Sequence, residues 1–268
     1  MIVRITLIQW ILVALPFLAV AQPKQFVTSA RSGDSARQAR TTTMSTETIA
    51  QPTEAPSSEA STVATASINS LPFFGERPKS AVQIGEEIHF LNDCDRNFGS
   101  RSEASAFFAD RGWDYVSDGQ LDTAAYRFNL SWLLNDRNVD AYWGLGVVCY
   151  QKNKLSEAIR IMKKGLAVVD SNAALLTDLA TVEIKHFQEK TNTDVLADAE
   201  NHLQRAVTLS PTNSMSHQKL SVVYYLKADY TKAWEYFHQA RNLDLSTLDI
   251  SYLNELLAKQ PDPKGMFK

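Results

Sequence analysis

The densest group of side chains able to hold a metal or move a proton is Glu86, Glu87, His89, Asp93, Cys94 and Asp95. His89 and Asp93 stand four residues apart, so one helix face would carry both. Two ligands on one face fall short of the three or four that converge on a metal ion. The group therefore reads as a solvated helix surface. Asp198 and His202 share that spacing and read as a surface pair. The five histidines are otherwise scattered. No His-Glu-x-x-His, phosphate-loop, Gly-x-Ser-x-Gly or dinucleotide glycine pattern occurs. The expectation is a chain with no catalytic residue, no cofactor and no metal, and thus not an enzyme.

Composition narrows the partners. The 268 residues carry a formal net charge of -3, and the isoelectric point is near 6.0. Neither creates a global attraction to nucleic acid or to an anionic membrane. Two cysteines, Cys94 and Cys149, are too few for a disulfide-stapled scaffold.

The elements that would position any site begin well into the chain. Arg4 precedes an apolar stretch, Ile5 to Val20, and Ala19-Val20-Ala21 fits a signal-peptidase site. Residues 1–21 are thus expected to be a secretory signal, with Gln22 as the mature start. The alternative is an uncleaved inner-membrane anchor, although Pro16 interrupts a stretch already short for a span. No other span is expected after cleavage. Residues 22–77 are rich in Ser, Thr, Ala and Pro and lack apolar periodicity, so they read as a disordered linker.

Beyond the linker the apolar period becomes helical. Residues 78–104 read as an N-terminal cap helix. Ser80 and Gln83 form a capping box, Val82, Ile84, Ile88 and Leu91 an apolar stripe, and Phe98-Gly99-Ser100 a stop. From 105 to 247 a period of 34 residues emerges. It relates Gly112 to Gly146, Ala124 to Ala158 and Asp136 to Asp170. Each unit reads as two antiparallel helices, A and B, with small residues where they cross. The units are 105–138, 139–172, 173–213 and 214–247. In the third, Ala180 to Ala199 is seven residues longer than Gly146 to Ala158. The extra residues fall near 187–194 and either extend a helix or lengthen a loop. Phe108, Tyr115, Phe128 and Phe237 face the A/B junction and are assigned to the core. Residues 248–268 read as a C-terminal cap helix, with Ile250, Leu253, Leu256 and Leu257 inward, and a fraying tail from Lys264. Cys94 and Cys149 lie one repeat apart with two helices between them, so no bridge is expected.

These positions resemble the tetratricopeptide repeat family. The string Gly112-Trp113-x-Tyr115, Trp132-Leu133-Leu134 and Tyr142-Trp143-Gly144 is also similar to a group of exported bacterial repeat proteins. The resemblance implies an all-α, right-handed solenoid in the cell envelope, most simply the periplasm. It also implies a concave face lined by positions 2, 5, 9, 12 and 13 of each A helix. That face carries Trp113, Trp143, Tyr150, Gln151, Gln218 and Tyr225, and lacks the Lys/Asn pattern that clamps a C-terminal carboxylate. The implied function is a scaffold binding a protein or peptide through this aromatic groove. The alternative is a structural or oligomerisation module of the envelope; self-association stays open.

Overall fold

A computed structural model describes residues 68–268. The expected signal segment and most of the expected linker lie outside them. The cap helix α1 (Ala81–Asn97) precedes four A/B pairs. These are α2 (Arg101–Ser117) with α3 (Leu121–Leu134), α4 (Val139–Gln151) with α5 (Leu155–Val168), α6 (Ala173–Lys190) with α7 (Thr193–Leu209), and α8 (Ser214–Leu226) with α9 (Tyr230–Leu243). Helix α10 (Ile250–Lys259) closes the array. Local sequence sets the helix starts. Ser80 and Gln83 cap α1 reciprocally, and Asn138, Asn172 and Asn213 each accept a backbone N–H at the start of an A helix.

The crossings obey sterics. Ala124, Ala158, Ala180, Ala199, Ala206, Ala233 and Ala240 are fully buried. A Cβ on Gly112 would stand 2.6 Å from the Phe128 ring, and one on Gly144 2.1 Å from the same ring. Phe128 of one repeat therefore needs two glycines, one from the next repeat. On Gly146 the same test gives 2.5 Å to Met162. Phe108, Phe128 and Phe237 are buried as expected, and Tyr115 is half-buried. Both cysteines are buried and free.

The third repeat resolves its insertion as helix. Helix α6 runs to 18 residues against 13 in α4, and α7 to 17 against 14 in α5. Thr191 stops α6 in the left-handed conformation, and Asn192 caps α7 at once.

Five expectations need correction. Residues 68–77, expected to continue the linker, form a strap against the outer B helices, with Phe73 and Phe74 buried. Asn129, itself fully buried, accepts from Phe73 N and donates to the carbonyls of Asn69 and Leu71, each at 2.8 Å. Phe73 packs against Trp132 and Tyr142, and Glu76 pairs with Arg160 and Lys164. These contacts hold Phe73 through Glu76 at positive φ, a conformation costing about 1–2 kcal/mol for each non-glycine residue.

Because the strap supplies Phe74 beneath α1, that helix is rotated. Phe90 and Cys94 face inward on Phe108, whereas Val82, Ile84 and Ile88 are 71%, 46% and 54% exposed. The tail does not fray. Asp262 lies 2.8 Å from His238 Nε2 and accepts the backbone N–H groups of Lys264, Met266 and Phe267, and Phe267 stacks on Trp234. Ile250 of α10 is likewise exposed at 63%, with Tyr252 taking the inward position. Finally, Asp198 and His202 do not pair. Asp198 meets Lys163 at 2.7 Å, and His202 meets the fully buried Glu183 at 2.8 Å, so both tie neighbouring helices together.

The Phe128 pinch makes a paired prediction. Gly144→Ala should lose about 1–3 kcal/mol by overpacking. Gly85→Ala, where a Cβ meets nothing within 4 Å, should gain up to about 1 kcal/mol through helix propensity. Urea unfolding of the two variants checks both.

Candidate functional site

A helices of adjacent repeats pack on one another, α2 on α4 and α6 on α8, and so make the tighter, inner side of the array, the side on which such solenoids form a concave surface. Trp113 of α2 is half-buried there. Its ring stands edge-on to Phe128 at 5.2 Å and to Trp143 at 5.4 Å. Trp143 of α4 is only 4% exposed, and its Nε1 donates to Asp178 Oδ2 at 2.8 Å. It thus acts chiefly as a strut from the second repeat to the third. Tyr150, the penultimate residue of α4, is half-buried, as is Gln151. Lys185 of α6 places its Nζ 5.1 Å over the Tyr150 ring. Gln218 of α8 is 5% exposed. Tyr225 lies at the far end, 5.8 Å from Tyr230 and 5.6 Å from Tyr252 of α10. The six expected residues therefore fall into separate groups. Trp113 and Trp143 touch, Tyr150 sits with Lys185, and Tyr225 belongs to the C-terminal end.

The charged residues of this face were not singled out from sequence. Asp110, Asp178 and Lys219 all occupy the sixth position of their repeats. That recurrence was the available signal. The carboxyl of Asp178, 3% exposed, is pushed up to about 7 by burial, against the opposing pull of the Trp143 hydrogen bond and the charge of Lys219. Burial pushes the Lys219 ammonium down, while Asp178 and Asp249 favour its charged form. Asp140 at the start of α4 is raised, first by burial and then by the negative charge of Asp110. The Cys149 thiol is pushed up to about 11, mostly by burial, which leaves it a poor nucleophile. Among the described residues no three His, Cys, Asp or Glu side chains are placed to hold a metal ion. No described helix is long and apolar enough to cross a membrane.

No family model and no curated protein matches the chain in sequence. Solved structures do match. The structure of pilF from Pseudomonas aeruginosa aligns with a TM-score of 0.52 at 23% identity, covering 60% of this chain and 70% of that one. A MamA double mutant from strain RS-1 aligns with a TM-score of 0.51 at 15% identity, covering 62% and 89%. Paired antiparallel helices, small residues at each crossing and a 34-residue step complete the diagnosis. The chain has the tetratricopeptide-repeat fold. TTC0263, a thermophilic TPR protein of Thermus thermophilus, is a more distant match, with a TM-score of 0.49 at 20% identity over 58% of this chain and 87% of that one. At these identities the likeness is one of fold. The array is a tetratricopeptide-repeat solenoid of paired helices. Its third repeat departs from the regular length, and its ends are closed by α1 and α10.

The Asp178 carboxyl gives a pH prediction. An unfolded aspartate titrates near 3.9, so between about pH 4 and pH 7 the folded chain holds a proton that the unfolded chain has released. The contribution of this group is therefore largest at low pH and is lost as pH rises through about 7. Asp178→Asn should flatten that decline, shrinking the difference in melting temperature between pH 5 and pH 8. An unchanged difference in thermal melts would contradict the assignment.

Proposed function

We propose that this chain is an exported, non-enzymatic scaffold whose concave face binds a peptide segment of a protein partner. The observation that carries the reading is that Trp113 and Tyr150, on successive A helices, are both half-buried rather than sealed in the core, with Gln151 next to Tyr150. Aromatic side chains contribute large contact area at low entropic cost, and amide neighbours hydrogen-bond an incoming backbone. Trp143 and Gln218, being buried, support the groove from beneath more than they meet the partner. Export is supported by Arg4, the apolar run Ile5 to Val20 and Ala19-Val20-Ala21. These favour a periplasmic protein over one anchored in the inner membrane.

Affinity capture from an envelope extract tests this. The recovered bait should begin at Gln22, and its partner should be lost when Trp113 and Tyr150 are both changed to alanine while the helical circular dichroism is retained. Full recovery of the partner by that double variant would reject the groove.

A second reading, self-association, has its own support. Val82, Ile84 and Ile88 leave an apolar strip exposed on α1, and such surface is often covered in an assembly. Light scattering of the purified protein decides it: a monomer that persists at raised concentration argues against an assembly role.

A further inference from the structure

The inner face is electrically uneven. Helix α4 contains no lysine or arginine, and the two arginines of α2 are engaged elsewhere. Arg101 makes a bidentate bond to Asp95, and Arg111 lies 5.6 Å over Phe107 and 3.6 Å from Asp114. That leaves Asp110 and Asp140 on the two neighbouring A helices, near enough for the charge of Asp110 to act on Asp140. Neither has an ion-pair partner among the described residues, and their mutual repulsion is one cause of the raised Asp140 carboxyl. Trp113 stands three residues after Asp110 and touches Trp143, which stands three residues after Asp140. Those spacings put both carboxylates beside the indole pair. One repeat further on, the same face completes itself internally, because Lys185 of α6 covers Tyr150. No cation covers Trp113 among the described residues.

We infer that the first two repeats take a cationic segment of the partner, with an arginine or lysine side chain against Trp113 and Asp110 and Asp140 as its counter-charges. This rests on the groove reading above and specifies what enters it. An indole face attracts a guanidinium or ammonium through its quadrupole, and neighbouring carboxylates, that of Asp140 partly desolvated, strengthen the attraction. The Lys185–Tyr150 contact is the same interaction made within the chain. An acidic segment would meet two unneutralised carboxylates, Asp140 half-buried and Asp110 exposed, and be rejected.

The test uses the full-length mature chain and two blocked peptides that share a leucine and alanine framework, one with two arginines and one with two glutamates. Calorimetry at low salt should give affinity for the arginine peptide about tenfold or more above that for the glutamate peptide. The preference should vanish in Asp110→Asn/Asp140→Asn, an isosteric pair of changes that should keep the melting transition. Equal affinities in the native chain, or a preference that survives the double variant, would overturn the cationic assignment. If both peptides bind equally and Trp113→Ala/Tyr150→Ala abolishes both, the groove stands and only the charge assignment falls. If neither peptide binds, both fall.

Discussion

The absence of room around Phe128 governs the architecture. Its ring lies where Gly112 of its own repeat and Gly144 of the next would each carry a side chain, so the first crossing and the first inter-repeat junction are set by one aromatic. In a solenoid each unit touches only its neighbours, and an error at one junction changes the angle of everything beyond it. The same ring braces Trp113, which in turn meets Trp143. Core packing and the inner face are thus continuous: the residue that closes the first repeat also fixes the attitude of the indole proposed to meet a partner.

Polar struts carry the geometry onward where glycine contacts end. Trp143 reaches from the second repeat to Asp178 in the third, and Glu183 gathers His202 and Lys163 from neighbouring helices. Thr177 and Ser216 link the third repeat to the fourth with oxygens 2.7 Å apart. Such buried groups are costly unless satisfied, so their pairing favours one relative placement of the repeats over many similar ones. The outer side is tied in the same way, by Asn129 and by the ion pairs of Glu76.

What was legible in the sequence follows from which interactions are local. The small residues at each crossing recur because contact distance forbids larger ones, so spacing alone revealed the pairs. Seven extra residues in the third repeat were countable. Their state turned on the stop at Thr191, whose left-handed backbone carries no sequence signature as plain as glycine would. The strap was hidden because its anchor, Asn129, lies 56 residues beyond Phe73 and its flank shares the linker's composition. The facing of helix α1 was hidden for the same reason, since nothing in its own stripe tells that Phe74 lies beneath it. The sixth-position recurrence does not reveal that Asp178 is buried, because a charged residue in a helix is usually at the surface, and only the tertiary contact with Trp143 places it inside.

The strap also bears on how the array would respond to force. Ile68, where the described chain begins, joins the solenoid along the outer B helices, so tension on the upstream polypeptide is delivered to the convex side. It would load the Asn129 hydrogen bonds, the Phe73 contact with Trp132 and Tyr142, and the Glu76 ion pairs before it reached any helix pair. Contacts loaded together resist pulling better than those opened one after another, and these lie within eight residues of chain. Load on that attachment would thus be borne away from the inner face proposed to meet a partner.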